Sequence, residues 1–252
     1  SAERSLPEQT RHSVFLSARQ DLGSAVHLYA DGLFSRRKAD VRGTPNGFVL
    51  SVPRTNAFRQ FGLTGPENIS VIYSFLKDLG PLSSRGKSEV FSGSAGAQLE
   101  LGSRWLLDLY GTYGRSEEKS GQEIIDQRTI AQGGALNTAL ASSDPNTAFN
   151  PFGDGSNTNP SVLAKLLGNF HTEPTLEYKA ANIKLDGDLF SLPGGAAKIA
   201  LGGEYRRESF DFFQQAQYEA GTQGTITTRT GHRTIKALFG ELYLPLLGNG
   251  RS

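Results

Sequence analysis

Between Val26 and Phe34 the chain alternates: Val26, Leu28, Ala30, Gly32 and Phe34 take one side of a two-residue period, and His27, Tyr29, Asp31 and Leu33 the other. Such a period belongs to a β-strand, whose successive side chains point to opposite faces. Trp105 to Tyr113 repeats it, with Trp105, Leu107, Leu109, Gly111 and Tyr113 against Asp108, Tyr110 and Thr112. In Ala181 to Leu189, Ile183, Leu185 and Gly187 oppose Asn182, Lys184, Asp186 and Asp188. After Leu192-Pro193-Gly194-Gly195 the pattern resumes as Ala197, Ile199, Leu201, Gly203 and Tyr205 against Lys198, Glu204 and Arg206, which predicts a hairpin around a tight turn. Fainter copies at Val14 to Ala18, Gly93 to Leu99 and Leu238 to Leu244 bring the expectation to about seven long strands.

The connections are unequal. Leu22-Gly23-Ser24, Leu101-Gly102-Ser103 and Leu192 to Gly195 are short and Gly-bearing, whereas Arg42 to Gly86, Ser116 to Thr172 and Gln214 to Arg229 are long and polar. In an up-and-down order every short turn falls at one end and every long loop at the other, as in outer-membrane barrels. The expected fold is therefore all-β: antiparallel up-and-down transmembrane β-barrel strands, with short periplasmic turns and long outer loops at 42–86, 116–172 and 214–229. On that expectation Leu28, Leu107, Ile183, Leu185, Ile199 and Leu201 face lipid, while Asp31, Asp108, Asp186, Lys198, Glu204 and Arg206 face the lumen. Trp105 should mark the periplasmic interface, with Tyr113 and Tyr205 at the outer one. A soluble antiparallel sandwich alternates too, but its strands average about 5 to 6 residues, shorter than the runs here.

Composition supports the β reading and removes several chemistries. Gly reaches 30 of 252 residues beside 15 Phe and 8 Tyr, and the mean hydropathy of −0.36 leaves no apolar run of transmembrane-helix length. Cys and Met are absent, so disulfides, zinc–thiolate sites and thiol nucleophiles are excluded. A net charge of +1 offers no case for nucleic acid as a partner. Ser1 to Thr10 is polar rather than signal-like, which suggests a mature or excised piece.

Within the second long loop, Ile130 to Ala141 predicts a short helix with Leu136 and Leu140 four residues apart, and Ser161 to Leu167 another, starting near Pro160. Between them lies FNPFGDG (Phe149 to Gly155), echoed in the first loop by TNAFRQFG (Thr55 to Gly62). Phe149, Asn150, Phe152, Asp154, Asn56 and Phe58 are the candidate ligand contacts, the alternative being that such Phe-rich turns only anchor loops to a barrel rim. His12, His27, His171 and His232 are scattered, with no HExxH pair, P-loop or nucleophile elbow. Asp154 to Asn159 has oxygen ligands, but Lys165 stands where a calcium loop needs its bidentate Glu. No catalytic residue, cofactor or metal is expected.

Several phrases occur together in a recognisable order: SRWLLDLYGTYGRSEEK (Ser103 to Lys119), NTAFNPFGDG (Asn146 to Gly155), LDGDLFSLPGGAAKIALGGEYRRESF (Leu185 to Phe210) and RTIKALFGELYLPLLG (Arg233 to Gly248). From about Ala25 onward the chain resembles the mid-barrel region of TonB-dependent outer-membrane receptors. The resemblance implies a large plugged barrel, of about 22 strands, in the cell outer membrane, taking up a scarce siderophore, glycan or similar small ligand with energy from the TonB complex. It implies contact with outer-membrane lipid and coupling to TonB through a plug. Neither plug nor TonB box is recognisable in residues 1–252, so a partial barrel segment is expected. The rival expectations are a passive porin-like channel and a soluble carbohydrate-binding β-sandwich.

Overall fold

A computed structural model describes residues 7–45, 47–59, 65, 67–102, 104–153, 158–218 and 223–247. Seven long strands make one antiparallel sheet in the order β1 (Glu8–Asp21), β2 (Val26–Gly43), β5 (Leu82–Leu101), β6 (Trp105–Ile125), β7 (Leu167–Leu192), β8 (Gly195–Tyr218) and β9 (Gln223–Tyr243). Sequence neighbours pair throughout, except where the first long connection inserts a two-stranded sheet of β3 (Phe48–Val52) and β4 (Ile69–Tyr73), followed by α1 (Leu76–Leu79). The second long connection holds a 3-10 turn (Ile130–Gln132), α2 (Ala135–Ala141) and α3 (Pro160–Leu166). Helix α2 is shorter than the expected run because Gly133, at φ 75°, ends the 3-10 turn before it.

Tight turns join β1 to β2, β5 to β6 and β7 to β8 at one end of the sheet, helped by positive φ at Gly23, Gly102 and Gly195. At the other end the strands run further than the alternation predicts. Strand β2 continues to Gly43 and β5 starts at Leu82, so the loop expected at 42–86 narrows to 44–81. That expected at 116–172 narrows to 126–166, since β6 continues to Ile125 and β7 begins at Leu167. The loop expected at 214–229 is largely strand: β8 reaches Tyr218 and β9 resumes at Gln223. Polar residues fill both faces of these extensions, so no alternation betrays them. β1 and β9 are the sheet's edges, each paired on one side.

The register divides these side chains between two opposite faces of the sheet. Leu107 pairs with Leu185 and Leu185 with Leu201, while Leu28 joins Ala97, Leu109 and Ile183 in the next row. Asp108 pairs with Lys184 on the opposite face, where the parity of the ladder also puts Asp31, Asp186, Lys198, Glu204 and Arg206. The apolar set is not packed between two sheets, as the sandwich would require. Leu109, Ile183, Leu201 and Leu238 are 38%, 49%, 47% and 92% exposed. Among the described residues the buried apolar side chains belong to the two long connections, apart from Ile125, Ala197 and Ala216.

Direct cross-strand pairing of glycine with aromatic residues recurs in the sheet: Gly96 with Tyr29, Gly114 with Tyr178, Gly187 with Trp105, Gly202 with Phe239, and Gly168 with Tyr218. In each case the ring lies across the glycine, so that an added Cβ would fall 2.1–2.8 Å from it. This accounts for part of the joint excess of Gly and aromatics, because a flat ring covers the gap that a missing side chain leaves in the pleat.

Candidate functional site

The two long connections fold together into a cap at the end of the sheet away from the tight turns. Its centre is aromatic: Tyr73, Phe75 and Phe149 meet with ring centroids 5.1–5.3 Å apart, among Leu50, Val52, Leu136, Leu140 and Leu166. Leu136 and Leu140 are 1% exposed, as the i,i+4 spacing requires of the buried side of a helix.

Asn56 latches one connection to the other. Its Nδ2 donates to the carbonyls of Leu140 at 2.9 Å and Phe149 at 3.0 Å, and its Oδ1 accepts from the N–H of Phe58 at 3.0 Å. Asn150 repeats the local part, with Oδ1 accepting from the N–H of Phe152 at 3.0 Å, while its own N–H donates to Thr158 Oγ1 at 3.1 Å. The two echoing sequences are thus two Asx turns of the form Asn-x-Phe. Expected as ligand contacts, Asn56, Phe149 and Asn150 are instead buried within the cap, and Phe58 and Phe152 are half-buried. Asn56 and Asn150 make these bonds within the cap, and Phe149 packs at its aromatic centre. Asp154 lies outside the described residues.

A buried carboxylate with no sequence signature does as much. Asp126 is fully buried; its oxygens accept from Arg128 Nε at 2.8 Å, Arg128 Nη2 at 2.9 Å and the Ala135 N–H at 3.0 Å, the last at the start of α2. Its backbone N–H donates to the Leu166 carbonyl, tying the beginning of the connection to its end. The Arg128 guanidinium lies 3.8 Å from the centre of the Tyr218 ring, which joins the cap to the tip of β8. Burial pushes the Asp126 carboxyl up, but the hydrogen bonds from Arg128 and from the backbone N–H groups of Ala135 and Arg128 outweigh it and hold the group below its ordinary value. Arg128 is correspondingly raised by the same carboxylate.

Beneath the cap the sheet's polar face collects the residues expected in a lumen. Tyr29 donates to Asp108 Oδ1 at 2.8 Å, Lys184 lies 3.1 Å from Asp186, and Arg206 lies 3.5 Å from Glu204 and 3.1 Å from Glu208. The charge on this face is graded. Toward the tight turns Asp21, Glu100, Asp108, Asp186 and Asp188 face Arg19, Lys184 and Lys198; toward the cap Arg11, Arg37, Arg229 and Arg233 face Glu118 and Glu208.

Both faces also change character along the strands. Past Tyr113 the apolar face turns to ion pairs, among them Arg36 with Glu89 at 3.3 Å, Lys119 with Glu173 at 2.9 Å and Lys179 with Glu177 at 2.9 Å. At that level apolar side chains join the charged ones on the polar face, through Phe15, Leu33, Val90, Leu176, Tyr178, Phe210 and Phe212. There it opens into a cavity of about 630 Å³ between β7, β8 and β9. This cavity is not legible in the sequence, since its walls come from three strands whose register had to be known.

No protein-family model matches the sequence, and no curated protein matches it. No helix among the described residues is long and apolar enough to cross a membrane, which says nothing of strands. Among the same residues no cluster of three or more His, Asp or Glu is arranged to hold a metal ion.

Proposed function

We propose that the sheet is wall of an outer-membrane β-barrel, with its apolar face against lipid and its polar face lining a passage beneath the cap. The observation that carries this is the upper edge of the apolar belt. In β9 the belt ends at Leu238, before Lys236; through Gly203 and Ile183, Leu238 is level with Leu109. In β1 it ends at Val14, before His12; through Phe34 and Phe91, Val14 is level with Arg115. From 109 to 115 the edge climbs six residues over six strand-to-strand steps. At about 3.4 Å per residue and 4.8 Å per strand this is a slope of about 35°, within the tilt of transmembrane barrel strands. Along β6 the belt from Trp105 to Tyr113 covers about 27 Å of strand, or about 22 Å of height at that tilt, close to the ~25 Å apolar band of such barrels.

The ion-paired extensions then stand in water beyond the hydrocarbon, where exposed pairs cost little to form and contribute at most about 1 kcal/mol each. Trp105, at the tight-turn end, and Tyr205, near the upper edge, suit the two interfaces. Uptake of a small ligand through a TonB-dependent receptor is the function that this wall supports best, in line with the resemblance of its sequence phrases. The edges β1 and β9 would be completed by further strands, since hydrocarbon does not tolerate an open sheet edge.

The Cys-free chain makes the test direct. Single variants Leu107→Cys and Asp108→Cys, in the full chain in outer-membrane vesicles, are treated with a membrane-impermeant maleimide. The Asp108→Cys thiol should react from the aqueous side and the Leu107→Cys thiol should stay protected until detergent is added. Equal labelling of the two in intact vesicles would remove the membrane reading.

A further inference from the structure

The cavity on the polar face has the size and walls of a ligand site. Its volume of about 630 Å³ lies in the range of small-molecule pockets, roughly 300–1,000 Å³, and like them it combines apolar walls with a few convergent polar groups. Leu176, Tyr178 and Phe210 supply the apolar walls, the last two offering ring faces; Phe210 is itself stacked on Phe212, 6.1 Å between centroids. The space exists because Gly231 pairs with Phe210 across β8 and β9, and a Cβ built there meets nothing within 4 Å.

The polar side carries two guanidiniums. Arg206 lies between Glu204 and Glu208, and Arg233 approaches Glu208, each Arg through its Nε. The Arg206 Nε is buried without an aligned hydrogen bond even so. The wider face at this level is basic, through Arg11, Arg37 and Arg229 against Glu118. A planar guanidinium fork is suited to a carboxylate or a similar oxyanion, held bidentately.

Resting on the reading of this face as a passage, we infer that the cavity binds an apolar, ring-bearing organic anion: the ring lies against Phe210 over Gly231, and its carboxylate is held by Arg233 and Arg206. A cation of the same shape is rejected, because Arg206 and Arg233, with Arg11, Arg37 and Arg229 on the wider face, outnumber Glu204, Glu208 and Glu118.

The test uses 2-naphthoate and its cationic isostere 2-naphthylmethylammonium as probes of the full chain in detergent, followed by saturation-transfer NMR and titration. Naphthoate should bind saturably and the ammonium at least about tenfold more weakly, the scale of one charge-assisted bidentate contact. Arg233→Gln should weaken naphthoate by about the same factor with little effect on the ammonium. Gly231→Val, filling open space, should abolish naphthoate binding; Phe210→Leu, which keeps apolar volume but removes the ring, should weaken it and serves if Gly231→Val fails to fold. No saturable naphthoate binding, equal binding of the two probes, or indifference to both cavity variants would overturn the inference. Maleimide labelling of Leu107→Cys and Asp108→Cys in intact outer-membrane vesicles, before extraction into detergent, keeps the two proposals apart. Selective binding by a chain that labels equally at both positions leaves the site standing without the membrane, and protected Leu107→Cys without binding does the reverse.

Discussion

Replacing Asp126 by Asn keeps the shape of the side chain and removes its charge. Wild-type Asp126 accepts two bonds from Arg128 and one from the start of α2, all in a fully buried position. Breaking a buried pair by removing one partner costs about 3–5 kcal/mol, mostly from the charge left behind. Here the lower end applies, since Arg128 also donates to the Gln132 carbonyl at 3.0 Å and rests on Tyr218. About 3 kcal/mol corresponds to a roughly hundredfold rise in the opening equilibrium of the cap. Native-state hydrogen exchange on the full chain should show it in the amides of α2, residues Ala135–Ala141, while the belt rows of β6 and β7 keep their protection. Because the Asp126 carboxyl is held below its ordinary value of 3.8, its contribution is fully present above that value and is lost as pH falls through the depressed one. Wild-type cap exchange should accelerate in acid below about pH 4, whereas Asp126→Asn should lack that step. The double variant Asp126→Asn/Arg128→Leu should recover part of the loss. A change of less than about threefold in α2 exchange, or equal acceleration throughout the sheet, would refute the latch.

Three further perturbations follow from the same geometry. Leu107→Arg should cost about 2–4 kcal/mol of barrel stability in urea-induced unfolding in lipid, and Asp108→Arg much less, since only the first places a charge in hydrocarbon. Gly114→Val sets a side chain where a Cβ would lie 2.1 Å from the Tyr178 ring, so a loss of about 1–3 kcal/mol is expected in the same assay; Tyr178→Ala in the same chain should relieve much of it. Asn56→Ala orphans the Leu140 and Phe149 carbonyls and should cost the cap about 2 kcal/mol, read as proteolytic nicking within 44–81 and 126–166 with the strands intact.

Alternation was legible wherever one face of a strand is apolar and the other wet, as at Trp105 to Tyr113. It vanished at the extensions for a physical reason. From Arg115 to Glu123 in β6 and from Gln214 to Arg229 across β8 and β9, polar residues fill both faces, so the backbone is strand but the code reads as loop. The cap was half visible: Leu136 and Leu140 announce a helix, and Asn56 and Asn150 share a local motif, but what Asn56 touches beyond its own turn depends on contacts 84 to 93 residues away. Asp126 was invisible, because Arg128, Ala135 and Leu166 acquire meaning only when the connection closes on itself. The excess of glycine and aromatics could be counted, yet pairing Gly114 with Tyr178 needs the register of β6 on β7.

The slanted edge of the belt separates a membrane from a protein partner more sharply than the belt itself. A second sheet or a helix layer covers whatever area its own outline gives, and the polar rim then follows that outline. A hydrocarbon slab has flat, parallel faces, and a flat face crossing tilted strands steps by a constant number of residues per strand. The lower edge should then climb as the upper one does. Between the outermost strands it does: in β1 the apolar row stops at Ala18, before Gln20, and Ala18 is level through Ala30 and Ala95 with Gly111. In β9 Leu242 is still apolar and is level through Ile199 and Gly187 with Trp105. From 105 to 111 is six residues and Leu244 follows Leu242, so the lower edge climbs by at least as much as the upper one does from Leu109 to Arg115. Two edges that climb in the same direction are what the proposed hydrocarbon slab requires. On that proposal the ion pairs beyond the belt follow as well: an outer face that has left hydrocarbon can carry charge, and the inner face at that level can carry apolar side chains beside its arginines.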